Sequence, residues 1–526
     1  MSIQHFEFQV KAKDEMILAL AIERGIHLSA MTGLGKTYMI ALLIVELLKR
    51  EGGVSPINGS IHSPFLYIAP SSVVKQSQRV FKEFGLGPNQ VICMSYANLR
   101  TKHYKKLYFN EEKYYVGMEE EIEYHWKPEL FPRYVIVDEP QALRNKAAKI
   151  TQLLSSLLID SQETQFLNVG YTPFIKPGES WWICYSCGVK TIPGSMDKRL
   201  RLTHDKWKDW IWDTAGNPDE LNASGVERIK RALDRSFVAV KGVRFKHKAK
   251  ATQLVIPFAT PQHREMYDAA WDDYMRELEI LGKVVTQNTA LQKAIALGKL
   301  QKRAESIRAQ YLAMAAKQSI DNGRSPIIAI KYLDTVELLG FCFKQQKLTA
   351  SYIKGGQSME ERQQQLDDYQ TGKTQVLVLT IGAGGTGLSA HHNPDNATTT
   401  HPRDLYMSPA FNAIEVAQTA GRPHRINSIS NTFIYMLYFK DTVEEYVSHK
   451  LEKKLNCMSK MIAKGESWAD LFIPEDKRII GKKNIDDSGL MVSDSEDGDT
   501  EESLESGDFM DQEEDTKTLQ IEMSVI

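Results

Sequence analysis

The 526-residue chain predicts an α/β protein with two parallel-sheet units, a mostly helical insertion between them and a disordered acidic tail. Three observations carry that expectation. Short apolar runs alternate with helical patterns over roughly 10–175 and again over 320–455, the rhythm of a parallel sheet covered by helices. The stretch between them lacks this alternation and reads as helix. After about residue 485 Asp, Glu and Ser dominate with few aromatics, a composition that cannot bury enough apolar surface to fold. The expected segments are 1–175, 176–320, 321–485 and 486–526.

In the first unit the strand candidates are IHLSA (26–30), FLYIA (65–69), VICMS (91–95), YVIVD (134–138) and QFLNV (165–169). Each ends near Gly, Pro or a polar residue, and helical patterns such as YMIALLIVELLKR and VVKQSQRVFKEF lie between them. A second series, IIAI, ASYI, QVLVLT, DLYM and FIYML, begins near Pro326. The insertion contains the Trp-rich GESWWICYSCG and the long helical pattern ALQKAIALGKLQKRAESIRAQYLAMAAKQ.

A hydrophobic content of 42% supports large cores. The chain has no apolar stretch of membrane-spanning length, and MSIQHFEFQVKAKDE lacks the apolar centre of a secretory signal. Five cysteines in so long a chain do not make a disulfide framework, which points to a reducing, intracellular setting, the nucleus if the source is eukaryotic or viral. The net charge of −2 hides an asymmetry: 15 of the 67 acidic residues and one of the 65 basic ones follow Ile485. The preceding body is therefore basic, which fits a polyanion partner, while the tail could recruit a basic protein.

The stretch AMTGLGKTYMIA sets Gly33, Gly35, Lys36 and Thr37 between a strand and an apolar helix. Glycines let backbone N–H groups close around phosphate oxygens, and the helix N-terminus adds partial positive charge. Lys36 can reach the β- and γ-phosphates, and the Thr37 hydroxyl can ligate Mg²⁺. The segment VIVDEPQALRN places Asp138 and Glu139 where a buried strand ends, the side on which open α/β sheets bind ligands. Asp138 suits a Mg²⁺ holder and Glu139 a general base on the attacking water. Downstream, IEVAQTAGRPHRI contains Gln418, Gly421, Arg422 and Arg425. Two guanidiniums three residues apart on a helix share a face and can stabilise charge on a transferring phosphoryl group. VLVLTIGAGGTGLSA supplies Gly382, Gly384, Gly385 and Gly387 for close backbone approach to a ligand.

These stretches, in this order, resemble the Swi/Snf-type ATPases of helicase superfamily two, duplex nucleic-acid translocases with two RecA-like lobes. Further matches are YIAPSSVVKQSQRVFKEF, MSYANLR, ATPQHREMYDAA and YIKGGQSMEERQQQLDDYQ, so the resemblance runs from about residue 5 to 455. It implies ATP bound between the lobes by Gln9, Gly33, Gly35, Lys36, Thr37, Gly387 and Gln418. Lys36, Asp138, Glu139, Arg422 and Arg425 would act in catalysis, with Mg²⁺ on Thr37 and Asp138. Nucleic acid, foremost double-stranded DNA, would be contacted near Ser71, Ser95, Tyr96 and Thr380. Two departures stand out. The acidic box ends in Pro140-Gln141 where the family has Ala-His or a similar pair, and the next motif reads Gly170-Tyr171-Thr172-Pro173 with an additional tyrosine. Gln141 can hydrogen-bond but cannot titrate, which bears on coupling more than on hydrolysis.

Smaller signals remain. Cys184 and Cys187 form a CxxC with no second ligand pair nearby, which favours packing beneath Trp181 and Trp182 over a zinc site. TKHYKKLY (101–108) and KGVRFKHKAK (241–250) mix basic and aromatic residues, as backbone-tracking surfaces and solvated basic faces both do. The resulting expectation is an ATP-dependent translocase or remodeller on duplex DNA. The rivals are a strand-separating DNA or RNA helicase and a non-catalytic nucleic-acid-binding scaffold that recruits partners through its tail.

Overall fold

The computed structural model describes residues 6–50, 65–116, 119–145, 148–171, 173–189, 204–241, 243, 245–282, 289–384 and 388–461. Gly387, Thr172 and the acidic tail lie outside the described residues.

The first lobe opens with α1 (Glu7–Leu20), β1 (Gly25–Ser29) and α2 (Lys36–Arg50). It continues through β2 (Phe65–Ala69), α3 (Ser71–Glu83), β3 (Val91–Ser95), α4 (Tyr96–Leu99) and α5 (Lys102–Tyr108). A hairpin, β4 (Phe109–Val116) with β5 (Glu119–Trp126), precedes β6 (Tyr134–Asp138), α6 (Lys149–Asp160) and β7 (Gln165–Gly170). Three helices follow, α7 (Trp181–Ser186), α8 (His204–Ala215) and α9 (Ala223–Leu233), then β8 (Phe237–Ala239). The sheet is parallel throughout, in the order β3-β2-β6-β7-β1-β8. β1, β2 and β6 are buried along their whole length because helices cover both faces. β1 and β6 flank β7, so the loops leaving their C-terminal ends are near neighbours.

The second lobe uses β9 (Ala249–Ile256), α10 (Pro261–Gly282), α11 (Thr289–Asp321), β10 (Ser325–Ile330) and α12 (Leu333–Gln345). Then come β11 (Ala350–Ile353), α13 (Met359–Gln370), β12 (Val376–Thr380) and α14 (Ile381–Gly384). The last elements are β13 (Arg403–Met407), α15 (Ala413–Ala420), β14 (Thr432–Phe439) and α16 (Val443–Ser459). Its sheet is also parallel, ordered β11-β12-β10-β13-β14-β9.

Both sheets belong to one compact unit, residues 1–256 with 304–483, and among the described residues Pro257–Arg303 belong to a second. Within the second unit Lys299 pairs with Glu277 at 2.7 Å, an exposed contact between α10 and α11. The stretch 176–320, expected as a helical insertion, is helical in its bulk but gives one edge strand to each sheet. β8 pairs with β1, and β9 pairs with β14 over eight residues. The sequence of β9, AKATQLVI, is half-exposed along an edge and carries little of the apolar signature of a central strand.

α16 closes the fold by returning to the first lobe. Leu451, Leu455, Met458 and Met461 are buried in the same apolar core as Ile26 and Leu28. Ser29 Oγ donates to the Met461 carbonyl at 3.3 Å, and Lys230 Nζ to that of Lys460 at 2.9 Å. The CxxC is core packing: both thiols are fully buried, and burial pushes Cys184 up to about 12. Asn168, at the middle of this cluster, receives the Trp182 indole at 2.7 Å and donates to Ser186 at 2.8 Å. Among the described residues no helix is long and apolar enough to cross a membrane.

Candidate nucleotide site between two sheets

The loop after β1 turns through Gly33 at φ 96° and Gly35 at φ 75°, backbone angles that a side chain would strain. Both glycines are also closely approached. A Cβ on Gly35 would stand 2.7 Å from Gln9 Nε2, and one on Gly33 would stand 3.2 Å from Arg425 Cδ. Gln9 itself donates to the Leu34 carbonyl at 3.0 Å. The phosphate loop is thus braced by α1 on one side and touched by the second lobe's arginine on the other. Lys36 and Thr37 open α2, whose positive dipole end follows the loop.

β6 delivers the acidic box. Asp138 is buried, its Oδ2 accepts from the Tyr67 hydroxyl, and its carbonyl accepts from Tyr96 at 2.8 Å. Its Oδ1 is buried and has no hydrogen-bond partner among the described residues. Burial first and the neighbouring Glu139 second push Asp138 up to about 6, while Lys36 and Tyr67 pull the other way. A lone buried carboxylate oxygen of this kind is costly unless a cation meets it.

Glu139 adopts the left-handed region at φ 59°, rare for a residue with a side chain, and its N–H donates to the Val169 carbonyl at 2.7 Å. Pro140 then starts a short 3₁₀ turn through Leu143. Three groups converge on the Glu139 carboxylate: Lys36 Nζ at 3.3 Å, Gln141 Nε2 at 2.7 Å and Gln418 Nε2 at 3.1 Å. The first two come from the first lobe and the third from α15 of the second.

α15 ends at Ala420, because Gly421 caps it and Pro423 cannot continue it. The expectation that Arg422 and Arg425 share a helical face is therefore corrected: they stand on the turn after the helix. Both still reach one point, donating to the Leu388 carbonyl at 3.1 Å and 2.6 Å. Burial, and then mutual repulsion, lowers Arg422 to about 9, and burial lowers Arg425 to about 10. Two buried guanidiniums that share a neutral acceptor are poised to receive an anion.

The structure thus brings together Gln9, Gly33, Gly35, Lys36, Asp138, Glu139, Gln418 and Arg425, with Arg422 beside them. The residues expected at nucleic acid are placed differently. Ser71 is exposed at the start of α3, but Ser95, Tyr96 and Thr380 are buried. Ser95 Oγ accepts from Asn98 N at 3.0 Å as the cap of α4, and Tyr96 serves the acidic box. The sequence reading missed Tyr67, Gln141 as a donor to Glu139, and the Leu388 carbonyl. Tyr67 sits in an apolar strand with no local signal; only the fold places it beside Asp138.

Residues 10–172 match the DEAD/DEAH box helicase family, and residues 308–427 match the helicase conserved C-terminal domain, together more than half of the chain. An uncharacterized ATP-dependent helicase of Mycoplasma pneumoniae is 20% identical over 463 residues, 84% of this chain and 41% of that one. The putative ATP-dependent RNA helicase L364 of Acanthamoeba polyphaga mimivirus is 22% identical over 459 residues, 81% of this chain and 77% of that one. The chain thus spans about two fifths of the Mycoplasma protein's length. A solved structure, the Sulfolobus solfataricus SWI2/SNF2 ATPase core in complex with dsDNA, shares 18% identity over 88% of this chain and 94% of that one, at a TM-score of 0.33. With both helicase domains in order along the chain, it belongs to the DEAD/DEAH-box-type helicases of superfamily two.

Proposed function

We propose that this chain hydrolyses ATP and couples the hydrolysis to movement along duplex DNA. The observation that carries the reading is the meeting of Lys36, Gln141 and Gln418 on the one Glu139 carboxylate, across two sheets. Charge on a terminal phosphate would draw Lys36 from Glu139 and free that carboxylate to accept a proton from the attacking water. Arg422 and Arg425 would exchange a neutral carbonyl for phosphoryl oxygens, a stronger pairing for buried guanidiniums. Lobe closure and ATP binding would then favour each other, because Gln418 and Arg425 reach the site only from the second lobe.

The residues fit a divalent cation. Asp138 Oδ1 is buried without a partner among the described residues, and Thr37 lies in the first turn of α2. Magnesium held by Asp138 and Thr37 would neutralise charge on the β- and γ-phosphates.

Retention of Lys36, Glu139 and Arg425 in one site speaks against a non-catalytic scaffold. Duplex DNA is preferred because of the ordered Swi/Snf-type motifs. The mimivirus relative, named as an RNA helicase, supports RNA as the second reading. An ATPase assay with duplex DNA, single-stranded DNA and RNA separates the two. Duplex DNA should stimulate most; stronger stimulation by RNA would transfer the proposal to the second reading.

A further inference from the structure

Outside the nucleotide site, one surface combines unneutralised charge with a fixed arrangement. Arg100 follows α4, Lys102, Lys105 and Lys106 line α5, Lys127 follows β5, and Lys149 opens α6. Four separate elements thus bring cations to one corner of the first lobe. None of the six makes an ion pair among the described residues. Carboxylates are close by in sequence: Glu111 and Glu112 on β4, Glu123 on β5 and Glu129 in the turn after it. Lysines beside acidic residues usually pair on a surface, so a set that stays unpaired is notable.

The centre of the patch is Tyr124. Lys149 Nζ lies 3.9 Å from its ring centroid and Lys105 Nζ lies 5.4 Å from it. The two ammonium groups are therefore within about 9 Å of each other, near the screening length at physiological salt. Lys105 Nζ also approaches the Tyr124 hydroxyl at 3.5 Å. Lys127 Nζ donates to the Lys106 carbonyl at 2.8 Å, which ties the β5 end to α5. Tyr124 is buried and packs edge-on against Phe109, so this is a rigid base and not a loose tuft of side chains. Lys102 and Lys106 are exposed and one helical turn apart, on the same stripe of α5.

We propose that this surface, which apart from Arg100 lies outside the helicase motifs, is a second contact for a nucleic-acid phosphate backbone. Like charges gathered on one ring repel one another, and a polyanion crossing the patch turns that repulsion into attraction. A backbone contact also needs no base-reading groups, and cationic donors of this kind suffice for it. Its position suits a role in stimulation: α5 follows within two residues of α4, whose first residue, Tyr96, is bonded to the acidic box. This inference rests on the nucleic-acid-binding reading above.

The test uses the full chain with Lys102→Ala, Lys105→Ala and Lys106→Ala combined. Duplex affinity is measured by fluorescence anisotropy between 50 and 200 mM salt, beside turnover without nucleic acid. The expected result is a fall of about two to three in the slope of log K against log salt. Affinity at the upper salt should weaken about tenfold or more, with unstimulated turnover unchanged. If the wild type binds duplex and the variant keeps the same slope and affinity, the patch is not a contact. If the wild type binds neither duplex nor RNA, the underlying reading fails, and this inference with it. Loss of binding to polyglutamate without loss of duplex binding would assign the patch to acidic protein and overturn the proposal.

Discussion

A Cβ on Gly170 would stand 3.0 Å from Pro140 Cδ and 3.7 Å from Gln141 Oε1. The end of β7 therefore has no side chain where the acidic box packs on it, and the Pro-Gln ending and the glycine fit as a pair. Gly170→Ala should push the proline ring aside at a cost of about 1–3 kcal/mol, an overpacking penalty. Because Pro140 adjoins Glu139, turnover should fall as well. Urea unfolding and steady-state ATPase measure the two; a variant with wild-type values for both would show that the box tolerates displacement.

Lys36 and Glu139 have separable roles. Lys36→Ala should weaken ATP binding and turnover together, since the ammonium is the cation nearest the phosphate loop. Glu139→Gln should leave binding within a few-fold and lower turnover about a hundredfold or more, the usual contribution of a general base. A fluorescent ATP analogue reports binding and phosphate release reports turnover. Full activity in the Glu139 variant would remove the proton-transfer role.

Gln418 joins the lobes through one hydrogen bond to a carboxylate. Such charge-assisted bonds are worth about 1.5–3 kcal/mol, so Gln418→Ala should lower turnover by roughly tenfold or more at saturating ATP. Single-turnover kinetics decide the matter, and an unaltered rate would show that the contact is not used during hydrolysis.

Asp138 predicts a pH dependence. Its folded value, about 6, is raised above the ordinary carboxylate range mainly by burial. The folded chain therefore holds a proton that the unfolded chain releases between about pH 4 and pH 6. In that window stability falls as pH rises, because ionised Asp138 is buried. Asp138→Asn should flatten this part of the profile in nucleotide-free protein, as read by thermal unfolding at pH 4.5 and 7. A variant as pH-sensitive as the wild type would place the effect elsewhere.

Tyr96 offers a test of coupling. Its hydroxyl donates to the Asp138 carbonyl at 2.8 Å from the first residue of α4. Tyr96→Phe should leave unstimulated turnover nearly intact and blunt stimulation by duplex DNA several-fold. Equal loss in both conditions would indicate a merely structural bond.

Ten of the strands were legible because each is a short apolar run bounded by polar or turn residues. FLYIA, VICMS and YVIVD occupy β2, β3 and β6 to the residue. The misses share a cause: β4, β5, β8 and β9 lie in a hairpin or at sheet edges, outside the buried centre of each sheet. FNEEKYYV, EEEIEYHW and AKATQLVI lack the continuous apolar signature, and FVA is too short to stand out. The helical expectation for Arg422 and Arg425 erred because Gly421 and Pro423 end α15 before them.

By itself the sequence determined the class of chemistry. Glycines at positive φ, a lysine and a hydroxyl at a helix start, paired carboxylates at a strand end and two arginines are local devices, readable in short windows. Tertiary structure alone decided how they meet. Glu139 and Gln418 are 279 residues apart yet share a hydrogen bond, and Tyr67 reaches Asp138 across 71 residues. Such pairings depend on strand order and on the return of α16 to the first lobe, which no local pattern encodes. Burial is likewise a property of the fold: it raises Asp138, lowers Arg422 and Arg425, and sets the Tyr96 hydroxyl against the acidic box.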